Sequence, residues 1–260
     1  MKNSRTIRAE ARAALAVNGT YWCYLGGVVV LGFIGNLVVN SYIFAHEAVC
    51  RLMLPAGAEL RHKAIGQVVL AIPPSSLAAA VSVALFALVV YWAGFLWWST
   101  YAMALASSRG GLRFGHAFSG WGNGWRMALT MFASTFYTML WTLLLVVPGI
   151  VKGFSYALTP LVAIDHPDWG ANRCITESRR LMAGNKWRLF KLLLSFIGWI
   201  VLIFAFVLAS QIAINLGGSR MQPFLAFVLL APDLLQPYVC TAFARFYEEI
   251  LDEDESKGRQ

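Results

Sequence analysis

Charge is the first thing this sequence lacks. Only 13% of its 260 residues are Asp, Glu, Lys or Arg, while 58% are apolar. That is about half the charged fraction of an ordinary soluble domain. The charges are also bunched, with none between Arg12 and Glu47, between Lys63 and Arg109, or between Arg126 and Lys152. Each gap is longer than the roughly 20 apolar residues that span a bilayer core. A water-soluble globule is therefore excluded, and helices crossing a membrane are expected.

Groups able to do chemistry are equally sparse inside those runs. His46, His62, His116 and His166 all lie outside the apolar centres, so no serine in a span has a buried base beside it. There is no His-Glu-x-x-His pair for a metal. Asp233 is the only carboxylate in the interior of an expected span, which excludes an aspartyl dyad. Cys23, Cys50, Cys174 and Cys240 show neither Cys-x-x-Cys spacing nor a short secreted frame, so no disulfide framework or zinc site is expected. Cys23 and Cys240 read as packing residues. The glycine-rich stretch 110–124 has no strand before it and no Lys-Ser/Thr after it, and reads as a flexible cytoplasmic connection rather than a phosphate loop. A cleavable signal peptide is not expected either, because the first apolar run, at about 25 residues, exceeds a signal core. No catalytic residue, cofactor or metal ligand emerges, and the chain is read as not an enzyme.

Turning to what is present, the expected spans are 21–45, 77–106, 127–147, 150–165, 192–214 and 222–245. Pro73-Pro74 marks the entry to the second, and Pro148-Gly149 breaks one apolar stretch into a tight hairpin, since proline removes a helical hydrogen bond. Lys152 then falls near the far interface. With the N-terminus inside, Arg51, Arg61, Lys63, Lys152 and Arg220 are external, and the other sixteen of the 21 Lys and Arg are cytoplasmic. This bias supports six spans with both termini inside. The net charge of +8 comes with no basic face interleaved with aromatics, so nucleic acid is not an expected partner; membrane lipids are. Tyr21, Trp22, Trp97, Trp98, Trp121, Trp125, Trp187 and Tyr247 flank spans and are expected as an interfacial belt.

A motif recurs. Gly122-Asn123-Gly124-Trp125-Arg126 precedes the third span and Gly184-Asn185-Lys186-Trp187-Arg188 the fifth, with a looser Asn18-Gly19 and Trp22 before the first. Tyr101, Tyr156 and Tyr238 each precede a charged exit residue, Arg109, Asp165 and Arg245. Two explanations stand: three parallel copies of a helix-plus-hairpin unit, or interfaces selecting the same residue types independently. Residues 171–182 place Ala171, Cys174, Ile175, Ser178, Leu181 and Met182 on one helical face and Arg173, Glu177 and Arg180 on the other. Gly184 is placed as a left-handed cap. Residues 4–16 behave similarly, with Ser4 as N-cap and Ile7, Ala11, Ala14 and Leu15 apolar. Such helices lie in the headgroup plane.

The fold class expected is thus an all-α membrane protein of about six transmembrane helices, or three helical hairpins, with cytoplasmic amphipathic interfacial helices. Its 260 residues form one multi-pass domain: an amphipathic segment 1–20, a bundle 21–245 and a charged cytoplasmic tail 246–260. Asp233, between Pro232 and Pro237, is a candidate ligand or transport residue because an intramembrane carboxylate is costly. The alternatives are that the sixth span begins late, or that Asp233 is neutral or paired with Lys152 or Arg220 near the outer interface. Asn36 and Asn40 share a face and could bond a neighbouring helix. Arg179, Arg180 and Lys186 are candidate contacts for a lipid headgroup or a partner.

Between residues 141 and 199 the pattern becomes specific: Pro148-Gly149-Ile150-Val-Lys152, Ser178-Arg-Arg-Leu181-Met182-Ala-Gly184, and Ser195-Phe196-Ile197-Gly198-Trp199. This resembles an uncharacterised bacterial integral-membrane family, number 975 among the domains of unknown function. The likeness extends to Arg5–Arg12 and to Pro237-Tyr238 with Phe246-Tyr247. It implies a multi-pass protein of the bacterial plasma membrane and supplies no activity. Three readings follow: a non-enzymatic membrane module binding lipid, peptide or a membrane partner; a small transporter or channel-like protein with a site near Asp233; and a lipid-modifying enzyme.

Overall fold

The computed structural model describes residues 3–54, 62–65, 68–71, 75–199, 201–202, 204–205, 208–209, 212 and 231–258. Apolar runs with no water to bond must satisfy their backbone internally, and a helix does so within one segment. The described residues form α1 (Ser4–Ala16), α2 (Thr20–Leu52), α3 (Ser76–Ser108), α4 (Gly124–Leu144), α5 (Val146–Tyr156), α6 (Thr159–Asp165), α7 (Ala171–Leu181), α8 (Lys186–Leu194) and α9 (Ala231–Gly258). Between α2 and α3 lies a small antiparallel ribbon, β1 (His62–Ile65) with β2 (Val68–Ala71). Four described stretches are long and apolar enough to cross a bilayer: Thr20–Leu52, Ser76–Ser108, Gly124–Leu144 and Val146–Asp165. Pro73-Pro74, Arg220 and parts of the two later expected spans, including 213–214 and 222–230, lie outside the described residues.

Helices in a bilayer gain little from hiding apolar surface, so small residues that let backbones approach carry much of their packing. Gly35 of α2 faces Leu96 of α3, Gly27 faces Met103, and the Tyr24 hydroxyl donates to the Thr100 carbonyl at 2.9 Å. Because α3 numbers rise as α2 numbers fall, the two form an antiparallel hairpin. At the next contact, Gly94 of α3 meets Gly124 of α4 so closely that a Cβ on Gly94 would lie 1.8 Å from the Gly124 carbonyl oxygen. The stretch 110–124 is consequently no loose connection. It carries a 3-10 turn at Phe114–Phe118 with Ala117 buried, and Gly120 lies against Phe95. The expectation of flexibility is corrected by this packing.

The hairpin expected at Pro148-Gly149 is present with its turn elsewhere. Leu145 is extended (φ −159°, ψ 134°) between α4 and α5, whereas Pro148 sits in the first turn of α5, where its missing N–H has no helical partner to lose. Past Leu145 the arms run antiparallel, Gly149 against Thr142 and Gly153 against Thr138.

α9 runs alongside the end of α3 in the same direction. Thr241 Oγ1 bonds Ser107 Oγ at 3.2 Å, and Glu248 reaches Arg109 at 3.2 Å. Residues 246–258, expected as a charged tail, continue α9, and Phe246, Tyr247 and Ile250 are buried. Tyr247 and Trp98 are thus core residues rather than belt anchors. The central cluster gathers Met103 of α3, Leu158, Leu161 and Val162 in and before α6, Cys174 of α7 and Tyr247 of α9. The first five residues of α6, Thr159–Ala163, are all buried, so the helix hides every side until it reaches Asp165. α1 begins at Ser4 with Asn3 in the N-cap position, one residue earlier than expected, and buries Ile7, Ala11 and Leu15 as its periodicity requires.

Candidate functional site

The recurrent motif has one backbone shape. Gly122 and Gly184 take positive φ (88° and 82°), and the asparagine after each, Asn123 and Asn185, is the N-cap of α4 and α8. Gly19 also takes positive φ (73°), directly before α2. Only glycine adopts this conformation without cost, so the turn recurs because the residue does. Three positions after each glycine stands a tryptophan, Trp22, Trp125 or Trp187, exposed by 72%, 48% and 63%.

The arginine after two of those tryptophans turns inward. Arg126 Nη2 donates to the carbonyls of Ala163 (3.3 Å), His166 (2.8 Å) and Trp169 (3.0 Å), closing the loop between α6 and α7. Across that loop His166 stacks on Trp169 at 3.8 Å, and Arg173 covers the same indole at 3.9 Å. Arg188 bonds Glu249 and, at 2.9 Å, Glu253 of α9. Its side chain is 16% exposed and that of Glu249 8%, so water screens this pair weakly.

The three charged exit residues converge. Arg109 at the end of α3 forks onto Asp165 at the end of α6 (3.0 and 2.9 Å), and it also reaches Glu248 of α9, which lies 3.7 Å from Arg245. Nearby, Arg180 of α7 pairs with Glu177 and with Asp254 (2.8 Å). Those bonds hold the Arg180 guanidinium above its ordinary range and Asp254 below the usual carboxylate range. Burial pushes the Tyr247 phenol up. Five helices, α3, α6, α7, α8 and α9, thus meet in one charged layer at one end of the molecule.

The residues singled out from sequence are dispersed. Arg180 is engaged by Glu177 and Asp254, Arg179 is exposed and Lys186 is half-buried. Lys152 lies 4.6 Å over the Trp141 ring, inside the α4–α5 hairpin. Asp233 belongs to α9, and its side chain lies outside the described residues. Asn36 and Asn40 bond each other (Nδ2 to Oδ1, 2.7 Å) on an exposed face instead of bridging helices. Sequence reasoning missed the inward role of Arg126 and Arg188; the signal available was their shared place after the repeated tryptophan.

Chemically the layer is a clasp of matched charges. All four cysteines are free. Among the described residues no group of three or more His, Cys, Asp or Glu could hold a metal. Apart from the layer, a cavity of about 540 Å³ has Arg8 and Arg12 of α1, Tyr21 of α2, Trp199, and Leu235 and Tyr238 of α9 in its wall.

The sequence pattern of a family described only as a protein of unknown function, DUF975, matches residues 85–254. The chain belongs to the DUF975 family. The match takes in the charged layer from Arg109 to Asp254 and both full copies of the Gly-Asn-x-Trp-Arg motif, and leaves α1 and α2 of this DUF975 protein outside it. No curated protein and no solved structure matches the chain.

Proposed function

We propose that this DUF975 protein is a non-enzymatic, six-span module of the bacterial plasma membrane, with both termini cytoplasmic. In this reading its tryptophan-rimmed, charged end binds an anionic lipid, a peptide or another membrane protein. The observation that carries the reading is the chain of ion pairs that joins Asp165 to Arg109, Arg109 to Glu248 and Glu248 to Arg245. If α3, α6 and α9 leave the bundle at one end, the chain goes out and back between each pair of exits, which supports three hairpins. The lysine and arginine bias assigns that end to the cytoplasm. The amphipathic α1 and α7 beside exposed Trp22, Trp125 and Trp187 suit the headgroup level.

Reporter fusions after residues 113, 168 and 258 are expected to report cytoplasm, and one in the α2–α3 connection the opposite side. A cytoplasmic signal from the α2–α3 connection would overturn the six-span order. A second reading, a small transporter with Asp233 and Lys152 on its path, is favoured by a lysine held half-buried on Trp141 within an apolar hairpin. Flux in proteoliposomes that is abolished by Asp233→Asn and Lys152→Met would favour it, and absence of any flux would leave the binding module.

A further inference from the structure

The 540 Å³ cavity beside α1 combines two features that seldom share a wall. One side is cationic. Arg8 and Arg12 stand one helical turn apart on α1, and Arg8 gives Nη1 to the Ser195 carbonyl (3.2 Å) while its buried Nε has no partner. Among the described residues no carboxylate lines the cavity, so the positive charge there is not neutralised as it is at Arg109, Arg180 and Arg188. The other side is apolar and aromatic: Trp199 (53% exposed), Leu234 (48% exposed) and Tyr238, whose ring packs edge-on against Phe196 at 5.2 Å. Tyr21 bridges the two sides by donating its hydroxyl to the Leu234 carbonyl at 2.9 Å.

We infer that this cavity is a binding site for an anionic phospholipid, with the phosphate on Arg8 and Arg12 and the acyl chains along Trp199, Leu234 and Tyr238. The inference rests on the membrane reading above and assigns it a ligand and a place. Guanidinium groups bind phosphate as forks, and a wall with two unmatched positive charges selects a headgroup of net negative charge over a zwitterion. The apolar face answers to chains that a free phosphate lacks. The volume falls within the roughly 300–1,000 Å³ of ligand pockets. The tyrosine and tryptophan place the cavity at headgroup depth, where such rings settle.

The test is native mass spectrometry of the full chain from nanodiscs of equal phosphatidylglycerol and phosphatidylcholine. The variants are Arg12→Gln, which alters an exposed side chain away from the buried face of α1, Arg8→Gln/Arg12→Gln, and Arg113→Gln/Lys257→Gln, which removes two exposed cations outside the cavity wall. The wild type is expected to retain phosphatidylglycerol selectively. The double arginine variant is expected to lose about thirtyfold in that selectivity and Arg12→Gln alone about fivefold, following the usual weight of one basic residue at an anionic surface. Arg113→Gln/Lys257→Gln is expected to match the wild type. Selectivity unchanged in Arg12→Gln, or lost equally in the Arg113/Lys257 variant, would overturn the cavity and leave the membrane module standing. Displacement of the lipid by inorganic phosphate alone would overturn the lipid in favour of a free anion. Release of the wild type from membranes by alkaline carbonate would sink the module reading itself.

Discussion

At Arg188 two requirements meet, since one guanidinium must satisfy both Glu249 and Glu253 inside a poorly hydrated corner. Arg188→Ala takes that cation from a carboxylate that remains buried, and removing one partner of a buried pair costs about 3–5 kcal/mol. Thermal melts in detergent are expected to fall accordingly, and Arg188→Lys to recover only part of the loss because an ammonium lacks the fork. Arg180 and Asp254 behave differently, with side chains 52% and 42% exposed. Asp254 is held below its unfolded value by its hydrogen bond to Arg180. Its contribution is therefore present above the ordinary carboxylate range, near pH 4, and is lost as pH falls through the lower folded value. Hydrogen exchange at the end of α9 is expected to quicken in that acid window, to a small extent and less in high salt. Asp254→Asn should remove this part of the response.

Among the elements, the α4–α5 hairpin gives the sharpest contrast. A side chain at Gly149 would meet Thr142 atoms at 2.2–2.8 Å, whereas one at Gly153 finds its nearest neighbour, the Thr138 methyl, at 3.6 Å. Gly149→Ala is expected to cost about 1–3 kcal/mol as overpacking does. Gly153→Ala is expected to be neutral or slightly stabilising, because alanine is the better helix former; paired melts of the two variants decide it. The existence of this hairpin was legible from Pro148-Gly149, but its turn was not. Nothing in Leu143-Leu144-Leu145-Val146 distinguishes the one extended residue from its helical neighbours. α7 was legible almost residue by residue, because Cys174, Ile175, Ser178 and Leu181 keep a period that only a helix uses, and Gly184 has the positive φ its position requires. Trp98 and Tyr247 were misread because an aromatic beside a span looks the same in sequence whether it faces headgroups or the core. The pairing of Arg180 with Asp254 joins residues 74 apart, a distance over which no local pattern carries information.

For the whole molecule, the distribution of charge divides the fold into an apolar part that packs by glycine contacts and a layer closed by ion pairs. A chain ending after Arg245 would keep Thr241 against Ser107 but lose Glu248, Glu249, Glu253 and Asp254 together. Such a truncation is expected to remain in the membrane while α7 and α8 become open to protease, and limited proteolysis of vesicles would show it. Full resistance would mean that the ionic layer is dispensable.

The order of synthesis gives α9 a further consequence. It follows every element it binds, and its Phe246, Tyr247 and Ile250 fill the centre of a cluster whose other walls come from α1, α3 and α6. Until those three residues emerge from the ribosome, the earlier helices can be inserted but cannot close around anything. A nascent chain of this protein therefore finishes its core only once residues 246–250 are out of the ribosome, and a cell could distinguish copies that reached α9 from those abandoned earlier by whether that centre is still open to a protease.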